Sequence, residues 1–158
     1  MPVLIRPALP ADISHVAELL LESAQAQGSP SSLVIDEQSL MRDGFGSQPR
    51  FHLLVAEVDQ RLVGLALYFF NYSTWISTKG LYLEDLYVSA ESRRHGVARD
   101  LMRRLAKIAK DEGCGRFQWM VLRSNQSAIG FYESLGAKIA EDWRLMQLYA
   151  DDIQKLAD

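Results

Sequence analysis

Two groups of residues in this sequence are spaced for chemistry. The first is the run Val88-Ser89-Ala90-Glu91-Ser92-Arg93-Arg94-His95-Gly96-Val97-Ala98-Arg99, which joins a strand-like segment to the most regular helix in the chain. The first turn of a helix leaves backbone N–H groups without partners and carries partial positive charge. Gly96 and the small Ala98 let a bulky anion approach that backbone, and Arg93, Arg94 and Arg99 add full charges. The combination suits a pyrophosphate. It is not a P-loop, because no Gly-Lys-Ser/Thr follows, and only one of the three glycines of a dinucleotide fingerprint is present. Spacing alone leaves open a plain strand-to-helix turn with solvated arginines.

The second group is Asn125 and Tyr132. Seven residues are about two helical turns, so both fall on nearly one stripe, with Ile129 between them. An Asn amide there can bond an amide-rich ligand, and a phenol can donate a proton. The plain alternative is a helix N-cap and a half-buried tyrosine. His95 and Cys114 read as a solvated loop residue and an incidental thiol.

The elements that position these groups follow from hydrophobic periodicity. Val3–Arg6 reads as a strand, and Asp12 opens a helix that fades at Gln27-Gly28. A polar break covers Ser29–Ser32, and a short helix runs from Asp36 to Arg42. Phe51–Val58 and Leu62–Phe70 form an antiparallel hairpin, and Leu81–Val88 is a third strand. From Val97 to Lys110, Val97, Leu101, Leu105 and Ile108 fall on one side and Arg99, Arg103, Lys107 and Lys110 on the other, the wet face of a helix. Phe117–Leu122 is a strand, Asn125–Leu135 a helix, and Ala137–Ala140 and Trp143–Leu148 are final strands. This order gives one mixed α/β (α+β) domain over 1–158 with a largely antiparallel sheet and one parallel strand–helix–strand unit.

Composition bounds the function. The chain has 158 residues, 48% hydrophobic and 23% charged, which fits a globular domain and excludes a disordered tail. Seventeen Lys and Arg against 20 Asp and Glu give a net charge of −3, with no global pull toward nucleic acid or anionic lipid. No run reaches the length of about 18 apolar residues needed to span a bilayer, and Met1–Pro10 lacks a signal-peptide pattern, so it reads as mature protein. A single cysteine excludes an internal disulfide framework and fits a reducing, cytoplasmic setting. No residue cluster suggests a metal.

The two groups together resemble the GNAT superfamily of acyl-CoA-dependent N-acetyltransferases. The superfamily pattern Arg/Gln-x-x-Gly-x-Gly/Ala stands here as Arg93-Arg94-His95-Gly96-Val97-Ala98, after the strand Leu81–Val88 and before Asn125–Ala137. Tyr82-Leu83-Glu84-Asp85, the Asn125-to-Tyr132 spacing and Trp143-Arg144-Leu145 are similar to the diamine and thialysine (spermidine/spermine-type) group. One departure is that Tyr72-Ser73-Thr74-Trp75 stands where polyamine enzymes of the group tend to carry an acid, which weakens the case for a long polycation. The resemblance implies a twisted sheet of six to seven strands, splayed at its centre and flanked by about four helices. It implies acetyl-CoA as cosubstrate, its pyrophosphate held by backbone at Arg94, Gly96, Ala98 and Arg99, with Arg93, His95 and Val97 in the same loop. The pantetheine arm is expected along Leu86, Tyr87 and Val88, steadied by Asn125. Trp75, Asp85 and Trp143 are expected around the amine acceptor. A homodimer is the family's common state.

The implied reaction needs a proton acceptor and a proton donor. An amine of pKa about 10.4 is only about one part in 2,500 neutral at pH 7, and freeing it costs roughly 4.6 kcal/mol. Glu84 is the expected acceptor and also attracts the cationic amine. Asp85 alternates to the opposite sheet face unless a bulge intervenes. Tyr132 is expected to protonate the departing thiolate, uphill by roughly 2 kcal/mol, a small cost in a dry site. The rival reading is a non-catalytic acyl-CoA-binding regulatory module of the same fold.

Overall fold

The computed structural model describes residues 2–31 and 33–158. Met1, and Ser32 at the end of the expected polar break, lie outside the described residues. The chain forms two compact units, Met1–Met120 and Val121–Asp158.

The first unit is built on a five-stranded sheet in sequence order: β1 (Leu4–Pro7), β2 (His52–Val58), β3 (Arg61–Ser73), β4 (Thr78–Val88) and β5 (Arg116–Trp119). The first three pairings are antiparallel and the last is parallel, as the single crossover through a helix requires. α1 (Ile13–Ala26) and α2 (Glu37–Phe45) lie between β1 and β2 in sequence, and α3 (Val97–Asp111) connects β4 to β5. Asp36 caps α2, its Oδ1 accepting from Gln38 N–H at 3.0 Å.

α1 turns Ile13, Val16, Leu19 and Leu20 onto Leu53, Val55, Leu65 and Leu67 of the sheet, and Tyr87 packs at the margin of this cluster. α3 buries Val97, Leu101, Met102, Leu105 and Ala109, the stripe that its periodicity marks. Arg6 pins β1: its guanidinium donates to both carboxylate oxygens of Asp12, at 2.7 and 3.1 Å, and to Glu57 Oε2 at 3.0 Å.

The β4–β5 ladder pairs Gly80–Leu83 with Arg116–Trp119 and stops there. From Asp85 to Val88, β4 keeps its β3 partners but has no β5 partner. The ladder stops because β5 ends at Trp119, short of the expected Leu122.

The second unit holds α4 (Gln126–Ser134) and α5 (Ala150–Ala157). Asn125 caps α4 and Gly136, at φ +93, follows its end. The expected strands Ala137–Ala140 and Trp143–Leu148 are not formed, so the described sheet has five strands and not six or seven. Alternating side chains specify the faces of a strand but supply no neighbour to bond its backbone. α5 is the element sequence reading missed. Asp151 and Asp152 in its first turn and Lys155 in its last complement the helix dipole.

Candidate active site

The site residues of the first unit lie along β4 and the turn that follows it. The pairing of β4 with β3 shifts register between Leu67 and Tyr68: Tyr68 stands opposite Leu83 and Leu67 opposite Asp85. Glu84 is the extra residue of a β-bulge. Residues directly opposite one another share a sheet face. Asp85 therefore shares the α1 face with Leu67, as do Tyr82 opposite Phe69 and Gly80 opposite Asn71. Leu86 and Val88 point to the α3 face.

The bulge separates the two acids by environment. Glu84 is exposed and Asp85 is half-buried. Burial first, and the neighbouring charge of Glu84 second, push the Asp85 carboxyl up to about 6. A carboxylate in that range is suited to exchanging a proton near neutral pH. Tyr82 stacks on Phe69 with ring centroids 5.2 Å apart, and burial followed by the Glu84 charge raises its phenol.

The turn after β4 has the backbone of an anion cradle. Arg94 and Gly96 adopt left-handed conformations, at φ +64 and +84, and a Cβ built on Gly96 would meet no atom within 4 Å. The first intrahelical bond of α3 runs from Asp100 N–H to Gly96 O at 3.0 Å, so the N–H groups of Val97 and Ala98 precede the helix's own bonding. Arg94, His95 and Gly96 are exposed, whereas the Val97 side chain is buried beneath the turn. Backbone N–H groups placed in this way are available to an anion. Arg93 turns back: its Nε donates to Val88 O at 3.0 Å and its guanidinium lies 5.5 Å from the centre of the Tyr87 ring. It fastens the turn to the end of the strand. Trp75, in the β3–β4 turn, is 84% exposed.

Asn125, Tyr132 and Trp143 belong to the second unit. Asn125 Oδ1 accepts from Ala128 N–H at 3.1 Å, which is the capping role its type allows. Tyr132 packs at 5.3 Å from the Phe131 ring, and burial raises its phenol above the ordinary value. It stays protonated at neutral pH. Trp143 is largely exposed.

Comparison with known proteins fits this arrangement. The model of the acetyltransferase (GNAT) family matches residues 15–137, from α1 through the cradle to the end of α4. The chain belongs to the GNAT acetyltransferase family. It is similar to the thialysine N-epsilon-acetyltransferase of Sus scrofa, 36% identical over 98% of this chain and 97% of that one. It is also similar to the spermidine/spermine N(1)-acetyltransferase-like protein 1 of Homo sapiens, 32% identical over 97% of this chain and 23% of that longer one. An integron cassette protein of V. cholerae shares the fold, with a TM-score of 0.82 at 24% identity over 99% of this chain and 98% of that one. Membership implies an acetyl-CoA cosubstrate for this GNAT enzyme. Among the described residues no group of three or more His, Cys, Asp or Glu is placed to hold a metal ion, and no helix is long and apolar enough to cross a membrane.

Proposed function

We propose that this enzyme transfers the acetyl group of acetyl-CoA to the primary amine of a small molecule: a diamine, a polyamine or the side-chain amine of an amino acid. One observation carries the reading. A single strand bears the bulged carboxylate pair just where its β5 partner ends, and it leads directly into the left-handed anion cradle.

The residues divide the work as follows. Backbone at Arg94, Gly96, Ala98 and Arg99 binds the pyrophosphate, with His95 and Val97 completing the turn and Arg93 holding it in place. The unpaired edge of β4 at Leu86, Tyr87 and Val88 bonds the pantetheine arm. Asn125 assists with its amide NH2, since its oxygen caps α4. Glu84 and Asp85 draw in the ammonium and take its proton as a coupled pair, Glu84 from solvent and Asp85 from the half-buried face. The freed amine forms the new N–C bond as the C–S bond breaks. Tyr132 gives its proton to the departing sulfur. Trp75 and Trp143 flank the acceptor. The names of the relatives, with thialysine and spermidine/spermine as acceptors, support an amine substrate.

We read the whole chain, 1–158, as one catalytic domain and the enzyme as a homodimer. Trp143, Leu145, Met146, Leu148 and Tyr149 are exposed apolar side chains that a second copy would cover. Sedimentation equilibrium checks this, and a monomer at micromolar concentration rejects it. The lone thiol of Cys114 accords with a cytoplasmic setting. The functional test is release of CoA thiol from acetyl-CoA against a panel of primary amines. Tight acetyl-CoA binding with no thiol release on any amine would establish the regulatory-module reading instead.

A further inference from the structure

The end of β4 away from the carboxylates carries a second polar constellation. Asn71 on β3, Gly80 on β4 and Arg116 on β5 form one row across the sheet, and their side chains share the α1 face with Tyr82 and Asp85. Among the described residues four buried side-chain polar atoms lack a hydrogen-bond partner, and two of them, Asn71 Oδ1 and Arg116 Nε, flank Gly80. The glycine is required there. A Cβ at position 80 would lie 2.5 Å from Asn71 Oδ1, so the carboxamide rests directly over the bare backbone. Arg116 is half-buried, and no described residue gives its guanidinium an ion pair or a hydrogen bond. A buried donor or acceptor left unpaired is costly. Here one of each stands on either side of Gly80, an acceptor on Asn71 and a cationic donor on Arg116.

An α-amino acid head group has the complementary pair: a carboxylate for the guanidinium and an ammonium for the carboxamide oxygen. We infer that Asn71 and Arg116 bind the α-ammonium and α-carboxylate of the acceptor, which selects amino acids with a side-chain amine over simple diamines. This rests on the acetyl-transfer reading for what happens at the other end of the molecule. The row at Asn71 is four β3 residues from the row at Leu67 and Asp85, about 13 Å along the sheet. An extended lysine-like molecule with a hydrogen bond at each end spans that separation. The stacked Phe69 and Tyr82 rings lie between the two rows and give its chain an apolar floor. The turn Thr74–Ser77 contains no carboxylate, so the distal ammonium of a diamine finds no anion there and meets the charge of Arg116 instead.

The test compares L-lysine with 1,5-diaminopentane, which differ by the carboxylate alone, as substrates of the full chain and of Arg116→Gln. Loss of a charge-assisted contact should raise KM for lysine about tenfold to a hundredfold with kcat nearly unchanged, while the KM for 1,5-diaminopentane, relieved of the Arg116 charge, should fall. Arg116→Lys should recover part of the loss. Gly80→Ala, which displaces the carboxamide, should repeat the selective loss if Arg116→Gln folds poorly by circular dichroism. Calorimetric titration of both compounds in the presence of CoA separates this proposal from the reaction itself. Arg116-dependent lysine binding without turnover keeps the head-group site and removes acetyl transfer. Turnover of both compounds with indifference to Arg116→Gln keeps acetyl transfer and overturns the site. No binding and no turnover of lysine overturns the head-group site, and no turnover of either compound overturns acetyl transfer to both.

Discussion

Asp85 stands opposite Leu67 on the α1 face, whereas its neighbour Glu84 is the bulge residue with no cross-strand partner. This relationship makes one carboxylate half-buried and hard to ionise and leaves the other in solvent. Two adjacent acids in a regular strand would simply have faced opposite ways.

The pH dependence follows from that difference. Asp85, with its carboxyl near 6, must be ionised to accept a proton, so kcat/KM should fall as pH drops through that value. Because the ammonium is the form that binds and Asp85 takes its proton, wild type should be nearly flat between the break and the amine pKa of about 10.4, with a slope near one below the break. Asp85→Asn must wait for free amine and should show a slope near one throughout. Glu84→Gln removes the negative charge that helps raise Asp85, so the break should move to lower pH. An unmoved break in Glu84→Gln separates the two acids and rejects the coupled pair.

Tyr132→Phe keeps the ring and removes the proton donor. General-acid catalysis of this kind is worth about 100-fold to 10,000-fold. Turnover should drop within that range while acetyl-CoA binding, read by calorimetry, changes little. Parent-like turnover takes the phenol out of the mechanism.

Gly96→Ala tests the cradle. No atom of the protein opposes the new methyl group, so the stability cost is only that of a left-handed alanine, about 1–2 kcal/mol. The methyl group would instead intrude on the anion. KM for acetyl-CoA should rise about tenfold or more, the size of one displaced phosphate contact. A variant that loses stability but keeps its KM places the diphosphate elsewhere.

Asp12→Asn probes the clasp on β1. The Arg6 side chain holds the Asp12 carboxyl below its ordinary range, chiefly through their hydrogen bonds. An acid depressed in the folded state adds stability that is complete above its unfolded pKa, about 3.9, and lost as pH falls through the folded value. Chemical denaturation should show wild type more stable by about 1.5–3 kcal/mol at pH 7. The gap should narrow below pH 4. A gap constant down to pH 2.5 would mean that Arg6 and Asp12 matter through packing alone.

The elements of the first unit were legible because each buries one periodic face. The stripe of α3 and the β2–β3 hairpin follow directly from the spacing of their apolar residues, and the cradle from one glycine beside basic residues at a helix start. The second unit was harder. Its segment Trp143–Leu148 is rich in apolar residues yet has no strand partner among the described residues, and α5 is only eight residues long with no buried side chain.

The amino-acid sequence by itself determined the element order to residue 135, the family resemblance, and the types of residue that could bind a diphosphate and move protons. Those properties depend on near neighbours along the chain, through periodicity, capping and local charge. Only the tertiary structure decided that Asp85, not Glu84, shares a face with Tyr82 and Gly80, and that Asn71 and Arg116, 45 positions apart, flank the same glycine. A bulge and a cross-strand register are properties of pairs of strands, and no single strand encodes its partner's alignment.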